Sequence, residues 1–234
     1  MERDSRCTEP DPCGRGHAFR AIAKPVAADQ SKFRALIWKL SLDGSLEWVR
    51  MWGIGSDNVA IAAYYSATEP TFAGWTRFPN GTARMTLLTY SPGGSLRSEG
   101  IYGDSWLEDM AWCVTRAGEF TYIAGHYSNS LIFMDNVAVT YKIRVDGSVL
   151  WWAPYGGQRA DAVRGVAVLG DMVYVAGESE LDYLKRQVFV VAYESPNSLS
   201  NPLLANGAFT LPLLLGFALL IVLTLEIYLK QSNH

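Results

Sequence analysis

Short apolar runs, many of them β-branched or aromatic, alternate along most of the chain with polar turns that carry glycine. The stretch from Val145 to Gly177 shows the pattern clearly, with VLWWAPY, AVRGVAVL and MVYVAG as three successive apolar runs. Asp-Gly-Ser opens the first run, and a further glycine-bearing segment separates each run from the next. Runs of this length between such turns are typical of antiparallel hairpins. The stretch therefore predicts three consecutive strands.

The same frame occurs three times in the chain. Its first turn glycine falls at Gly44, Gly94 and Gly147, so the repeat period is 50 residues (94 − 44) and then 53 residues (147 − 94). An aromatic residue followed by glycine comes eight residues after each turn glycine (52 − 44, 102 − 94 and 155 − 147). A period of roughly 40–50 residues with several short strands per unit is typical of a β-propeller blade or a related array.

A fourth apolar run completes each unit, as MTLLTY at 85–90 and VAVTYKI at 137–143 show. We name the strand types A (like MTLLTY), B (like VLWWAPY), C (like AVRGVAVL) and D (like MVYVAG). We expect each unit A-B-C-D to form one antiparallel blade. HAFRAIAK at 17–24 predicts one D strand before the first unit, and VFVVAY at 188–193 predicts one A strand after the last. The expected fold is all-β, a partial β-propeller of 14 strands or about three and a half four-stranded blades.

Both ends of the chain differ from this repeat domain, which we place at residues 16–194. Residues 1–15 are polar and irregular, and residues 195–207 form a linker rich in Ser, Asn and Pro. Residues 208–229 are 22 mostly apolar residues. As a helix they would span about 33 Å, enough for a bilayer core of about 30 Å. They predict one C-terminal transmembrane helix with the lipid bilayer as its partner, and residues 230–234 form a short tail.

The sequence features that bear on membrane orientation disagree. Lys230 lies in the tail, whereas residues 187–207 contain no Lys or Arg, a bias that favours the tail inside the cell. Asn80-Gly81-Thr82 is a possible glycosylation site, which agrees with an external repeat domain. No apolar signal-peptide core follows the charged start, which favours a cytosolic body. We predict a single-pass cell-membrane protein with the repeat domain on the extracytoplasmic side, and a cytosolic body with a C-terminal anchor is the alternative.

Composition and cysteine content exclude some classes of function. The net charge is −3, so the chain has no basic surface of the kind that binds nucleic acid. Cys7 and Cys13 flank a polar loop, and they either form a disulfide in an oxidising compartment or stay unpaired. Two cysteines without a nearby histidine do not make a zinc site. Cys113 lies inside a C strand, where we expect a small buried hydrophobic residue.

An aspartate precedes each C strand. Asp57, Asp109 and Asp161 lie 17, 16 and 16 residues before the glycine that closes the next D strand (74 − 57, 125 − 109 and 177 − 161). Three carboxylates at matching blade positions could point to one axis and hold a hard cation. An aspartate before a strand also accepts backbone hydrogen bonds in an Asx turn, and that role should recur in every blade. We favour the turn role and keep the three residues as weak metal candidates.

The strand order predicts which loops share a face. In an up-and-down meander the B–C and D–A loops lie at one end, and the A–B and C–D turns lie at the other. Long loops carry binding residues more often than tight turns do. The end with the long loops is therefore the predicted binding face, and it is acidic; its residues are Asp57, Trp106, Glu108, Asp109, Arg159 and Asp161 from the B–C loops, with Arg77, Asn80, Asn129, Asp135, Glu178, Glu180 and Asp182 from the D–A loops.

No catalytic motif accompanies this pattern. The histidines are His17, His126 and His234, and no Ser-His-Asp spacing, phosphate-binding loop or HExxH motif occurs. Nothing in the cysteines or tryptophans predicts a cofactor, so we expect none. Most of the eight tryptophans fall in B and C strands, where we expect them to pack between blades.

The unit resembles the bacterial and archaeal β-propeller repeat known as the SBBP repeat over about residues 17–198. The resemblance is strongest in the third unit, at Asp146, Gly147, Ser148, Trp151, Gly156, Gly157, Asp161, Val166, Val168, Val173, Tyr174, Val175, Ala176 and Gly177. The first two units depart from it, since Gly103-Asp104 lacks the second glycine. The resemblance implies a propeller on a secreted or surface protein, and it transfers no catalytic residues.

Together these features predict a membrane-anchored, non-catalytic propeller protein that serves as a cell-surface interaction or scaffold module. An extracellular hydrolase or lyase acting on a polymer is one alternative, and a truncated gene product without independent function is another. The first and last strands have no predicted partner on one side, and exposed strand edges recruit partners. We therefore expect either self-association through these edges or pairing of the two terminal strands with each other.

Overall fold

The structure, a computed structural model, describes residues 18–26, 29–41, 43–66, 68–103, 108–128, 136–156, 159–182 and 185–195. This part of the chain contains strands and no helix. The predicted irregular start, the linker beyond Ser195, the transmembrane helix at 208–229 and the tail lie outside the described residues, as do Cys7 and Cys13. No helix among the described ranges is long and apolar enough to cross a membrane.

Fourteen strands follow one another along the described chain. They are β1 (Ala18–Val26), β2 (Asp29–Leu40), β3 (Leu46–Trp52), β4 (Asp57–Tyr64), β5 (Thr71–Arg77), β6 (Ala83–Tyr90), β7 (Leu96–Tyr102), β8 (Asp109–Ala117), β9 (Phe120–Ser128), β10 (Asn136–Arg144), β11 (Val149–Tyr155), β12 (Asp161–Leu169), β13 (Met172–Asp182) and β14 (Lys185–Glu194). The prediction of an all-β repeat domain is confirmed for the described residues, and each apolar run of the predicted blades overlaps a strand.

The strands form four small antiparallel sheets. The first sheet is β1-β2-β3, the second β4-β5-β6-β7, the third β8-β9-β10-β11 and the fourth β12-β13-β14. Every pair of neighbouring strands within a sheet is antiparallel and consecutive in sequence, so each sheet is a simple meander. β1 and β14 lie in different sheets, so the expectation that the two terminal strands pair with each other is wrong.

The sheets begin at a different strand from the predicted unit. Each complete sheet has the order C-D-A-B, because the connection between a B strand and the next C strand crosses from one sheet to its neighbour. The first crossing is fixed by a backbone hydrogen bond from Ser56 N to Arg77 O in the second sheet, 2.8 Å long. The predicted A-B-C-D blade is therefore wrong in phase. A repeat period is the same wherever the unit is taken to begin, so the period could not reveal this.

The A–B hairpins explain why glycine recurs at the start of each unit. Gly44, Gly94 and Gly147 have φ angles of +83°, +82° and +86°, a left-handed conformation that only glycine adopts at little cost. In each hairpin the register of the strand pair shifts next to the turn. A left-handed residue that closes a turn with a bulge is a common hairpin geometry. The turn glycines thus set the register of the B strands.

Three hydrophobic clusters hold the sheets together, one at each interface between neighbouring sheets. The cluster between the first and second sheets includes Trp48 and Phe72, that between the second and third includes Met85 and Ile123, and that between the third and fourth includes Trp151. The C strands of neighbouring sheets also contact each other, β4 with β8 and β8 with β12. Meanders stacked face to face with adjacent first strands fit a partial propeller-like β fold. Cys113 is buried in the last cluster, as predicted.

Candidate functional site

The outer two sheet interfaces share one aromatic contact. Counting back four residues from the aromatic end of each B strand (52 − 4 and 155 − 4) gives Trp48 and Trp151. Trp48 stacks on Tyr90 of the next sheet with ring centroids 5.9 Å apart, and its Nε1 donates a hydrogen bond to Pro92 O at 2.8 Å. Trp151 packs against Tyr193 of its next sheet at 6.3 Å. An indole from one sheet thus covers the end of an A strand of the next.

The middle interface lacks both members of this contact. The same count from Tyr102 (102 − 4) reaches Ser98, which lies opposite Thr89 just as Trp48 lies opposite Lys39. In each of these sheets one residue of the A strand pairs with the glycine of the D strand. Four residues further along the A strand lie Tyr90 in the second sheet, Ile143 in the third and Tyr193 in the fourth, so Ile143 stands where the other two sheets have tyrosine. Both replacements remove volume from the same place, and a void results because the neighbouring groups relax only partly.

A cavity of about 260 Å³ occupies this place between the second and third sheets. It lies at the end of the sheets that carries the A–B and C–D turns, opposite to the predicted binding face. Its lining residues come from β6 to β10 and from two turns: Glu69, Leu87, Thr89, Arg97, Ser98, Glu99, Gly100, Tyr102, Arg116, Thr121, Ile143, Arg144, Val145, Asp146 and Gly147.

Tyr102 forms one wall of the cavity and crosses the interface. Its hydroxyl donates a hydrogen bond to Gly147 O at 3.3 Å, which ties the second sheet to the A–B turn of the third. A Cβ at Gly100 would lie 2.3 Å from the Tyr102 hydroxyl oxygen, so only glycine leaves room for the ring there. Burial is the main cause that raises the pKa of Tyr102, and the phenol is therefore neutral at physiological pH.

Glu69 holds two arginines at the rim of the cavity. Its carboxylate accepts a hydrogen bond from Arg97 Nη1 on β7 and another from Arg116 Nη1 on β8, each 2.8 Å long. The hydrogen bond from Arg116 is the largest cause that lowers the pKa of Glu69, so the carboxylate is ionised at neutral pH. This group of three charges joins neighbouring sheets, and its partial exposure limits its contribution to stability.

The other two carboxylates at the cavity are engaged in structural contacts. Glu99 Oε2 accepts a hydrogen bond from Trp52 Nε1 at 2.8 Å, and Asp146 Oδ1 accepts one from Ser148 N at 2.9 Å within its own turn. Hydrogen bonds from Ser148 lower the pKa of Asp146. The cavity therefore has fixed polar walls around an apolar floor that Leu87 and Ile143 provide. Such a lining suits ligand binding, because placed polar groups orient a ligand that apolar surface retains.

The predicted aspartates do not form one set. In each C strand one residue pairs with the glycine of the D strand. Asp109 and Asp161 lie two residues before that paired residue, and in the second sheet the residue at this position is Asn58, which pairs with Thr76. The equivalent of these two aspartates in the first unit is thus Asn58, so the choice of Asp57 was one residue off. Asp57 Oδ1 instead lies 3.3 Å from Phe33 N, which donates to it.

Asn58 shows what this position does. Its Oδ1 accepts hydrogen bonds from Ile54 N at 3.0 Å and Gly55 N at 3.1 Å, and its Nδ2 donates to Phe33 O at 2.9 Å. These contacts fix the B–C crossing to the first sheet and to the start of β4. At the start of the third sheet, Arg84 Nη1 donates a hydrogen bond to Asp109 Oδ2 at 3.0 Å.

The three side chains also pack on the glycine that follows each aromatic B-strand end. A Cβ at Gly103 would lie 2.2 Å from Asp109 Oδ2, and one at Gly156 would lie 2.0 Å from Asp161 Oδ2. Asn58 thus has the predicted turn role, and Asp109 and Asp161 make the matching packing contact with glycine. Across the described ranges no group of three His, Cys, Asp or Glu residues is placed to hold a metal ion.

Arginines neutralise much of the predicted acidic face. Arg77 pairs with Glu108, and Arg164 and Arg186 both reach Glu178, at 2.5 and 3.3 Å. Arg84 is the partner of Asp109. Trp106, Asn129 and Asp135 lie outside the described residues. Asn80 is exposed, and its Oδ1 accepts a hydrogen bond from Thr82 Oγ1 at 2.8 Å, so its role as a glycosylation site stays a prediction.

A second cluster, which the sequence did not indicate, lies along the first strands of the last two sheets. In every C–D pair the register shifts at the same point, between Ala60 and Ala62, between Ala111 and Cys113, and between Val163 and Gly165. The extra residues of the last two bulges, Trp112 and Arg164, meet with the guanidinium carbon 4.7 Å from the ring centroid. Bulges commonly re-aim side chains in this way.

His126 completes this cluster. Its Nδ1 accepts a hydrogen bond from Trp112 Nε1 at 2.8 Å, so the neutral ring carries its proton on Nε2. Burial, with a smaller contribution from Arg164, lowers the pKa of His126 to about 4. The ring is therefore neutral at physiological pH and serves as an acceptor within the packed interface.

In comparisons with known proteins, no family model matches this chain and no curated protein matches it.

Proposed function

We propose that this chain is a membrane-anchored, non-catalytic binding module with a partial β-propeller of about three and a half blades. The observation that carries the proposal is the cavity between the second and third sheets, where two aromatic residues of the repeat are replaced by Ser98 and Ile143. A site made by loss of packing, with its three carboxylates engaged in structural contacts, suits retention of a ligand better than its conversion.

Three features support the remaining parts of this proposal. The 14 strands and the recurring turn glycines agree with the SBBP-type repeat that the sequence resembles. The 22 apolar residues at 208–229 have the length of a membrane anchor. His126 is buried and hydrogen-bonded to Trp112, which leaves it poorly placed for acid–base catalysis on an external substrate.

Self-association is a second part of the proposal, supported by an edge of β14 that no other described strand covers. β14 is the last strand of a three-stranded sheet, and it carries the exposed residues Val188 and Val190. In the two complete sheets a B strand covers the corresponding edge. A second copy could pair with β14 in the same way, because unpaired strand edges are templates for addition of another strand. The polymer-degrading enzyme and the truncated gene product remain the alternatives.

Cell fractionation tests the anchor and the side of the membrane. The full chain should stay in the membrane pellet after an alkaline carbonate wash, and a variant ending at residue 207 should not. With external protease added to intact cells, the repeat domain of the full chain should be digested. Full-length protein recovered in the supernatant would contradict the anchor, and protection from protease would place the domain inside.

Ligand-observed NMR on the detergent-solubilised full chain tests the binding role. A mixture of small polar and aromatic fragments should contain compounds that bind the native chain and not Ser98→Trp, in which the cavity is filled. Bound fragments should be recovered chemically unchanged after long incubation. Conversion of a fragment, or binding that Ser98→Trp leaves intact, would contradict a binding role for this cavity.

A further inference from the structure

The first interface shows what kind of group fits the cavity. At the first interface the Trp48 ring lies flat against the A–B turn, where a Cβ at Gly94 would come within 2.7 Å of its ring carbon Cδ2. Its Nε1 donates to Pro92 O of that turn. The first interface therefore gives an indole a flat slot, with one backbone carbonyl as its acceptor.

The middle interface keeps the acceptor side of this arrangement. Gly94 N donates to Ser91 O and Gly147 N donates to Arg144 O, both 2.9 Å long, so the two A–B turns have the same geometry. Val145 is then the counterpart of Pro92, and it lines the cavity. At Gly147 the nearest neighbour of an added Cβ is the Tyr102 hydroxyl at 3.6 Å, so the close contact that Trp48 makes with Gly94 is absent here.

We propose that this cavity binds a small planar aromatic molecule with a ring N–H, of the indole class, in the place that tryptophan takes at the other two interfaces. The ring lies between the second sheet and the A–B turn of the third, and its N–H donates to the carbonyl of Val145. Leu87 and Ile143 supply the apolar surface. The inference rests on the proposed binding role and adds the class of ligand.

The volume agrees with this class of ligand. A cavity of about 260 Å³ lies just below the usual range of small-molecule pockets, roughly 300–1,000 Å³, so it suits a ligand of one or two fused rings. Glu99 and Asp146 at its walls are held by Trp52 and Ser148, and Glu69 holds Arg97 and Arg116.

Isothermal titration of the detergent-solubilised full chain with indole tests the inference. We expect saturable binding with one site per chain and a rise in the thermal midpoint. 1-Methylindole, which keeps the ring and lacks the N–H, should bind about fivefold more weakly, the effect of one hydrogen bond. Equal affinity for the two compounds would contradict the role of the Val145 carbonyl.

Two variants and one control locate the binding. Ser98→Trp should abolish indole binding, and Ile143→Tyr, which restores the tyrosine of the other interfaces, should weaken it at least tenfold. Ile101→Trp is the control, because it adds an indole to the same strand at an exposed position outside the cavity, and it should leave binding unchanged. If Ser98→Trp fails to fold, Ile143→Tyr still decides the matter.

The outcomes separate the ligand class from the binding role. If fragments bind the native chain and not Ser98→Trp, but indole does not bind, the ligand class is overturned and the binding role stands. Indole binding that survives both cavity variants would overturn the site. No binding of indole or of any fragment at the cavity would overturn both.

Discussion

At the scale of single residues, the start of each C strand is set by one polar side chain packed on one glycine. Asn58 holds its crossing loop through two hydrogen bonds and the first sheet through a third, and Asp109 and Asp161 sit against Gly103 and Gly156. The glycines have no room for a side chain at this contact. The pairs therefore act as fixed points where the chain passes from one sheet to the next.

Substitution of Gly156 tests this contact. Gly156→Ala should lower the free energy of unfolding by about 3 kcal/mol, because its φ of +135° strains alanine and the new Cβ would meet the Asp161 carboxylate. Gly170→Ala is the matched control, at φ +58° in a turn with no atom within 4 Å of the new Cβ, and should cost about 1 kcal/mol. Urea unfolding measures both, and equal costs would contradict the packing role.

His126 gives a prediction in acid. Its pKa of about 4 in the folded state lies below the ordinary 6.5, so the unfolded chain takes up the proton first. Its contribution to stability is complete above pH 6.5 and is lost as the pH falls toward 4, a change on the order of 3 kcal/mol. NMR titration of the ring should show a midpoint near pH 4, and His126→Gln should flatten the stability profile in this window. A midpoint near 6.5 would show that the ring is exposed.

The replacement of tryptophan by Ser98 could be seen in the sequence, but the cavity that results could not be predicted from it. SLEWVRMWG and SLRSEGIYG align directly, so Ser98 stands where Trp48 stands. Only the structure shows that this position faces the next sheet. That Asn58 takes the place of an aspartate could not be seen for another reason. Its neighbour Asp57 also fits the repeat, with a spacing to the closing glycine that is one residue longer.

At the scale of strands, the period of the sequence predicted the elements and missed their grouping. Turn glycines and apolar runs depend on local backbone geometry, so the strands could be predicted from short stretches. The phase of the sheets depends on which loop crosses between them, a tertiary property. The C–D bulges at Trp112 and Arg164 also left no mark, because one extra residue in a strand changes neither its composition nor its alternation enough to be recognised.

The equivalence of the B strands can also be tested at the first interface, where the tryptophan is present. Trp48→Ser should remove the indole of the first interface, as Ser98 does in the middle one, and cost about 3–5 kcal/mol in urea unfolding, because a buried indole leaves a void. Trp152→Ser removes an indole that is 41% exposed on β11 and should cost about 1 kcal/mol. A cost for Trp48→Ser no larger than that of the control would contradict the shared interface pattern.

At the scale of the whole molecule, three similar interfaces hold the four described sheets of the repeat domain together. Each has its own hydrophobic cluster, and the middle one gives up its indole contact for a cavity crossed by Tyr102. An all-β fold and stacked meanders were predictable because the repeat fixes them. Membrane anchoring at residues 208–229 and self-association stay predictions, since the described residues end at Ser195.

The central claim is that the place where tryptophan packs at the other two interfaces is, between the second and third sheets, a cavity that Tyr102 crosses and fills only in part. The free energy of unfolding of Ser98→Trp in urea tests it most directly. The account predicts a gain of about 1 kcal/mol, since a cavity is filled and an acceptor in the A–B turn is satisfied. A loss of about 2 kcal/mol or more would show that the indole is overpacked there and would contradict the claim.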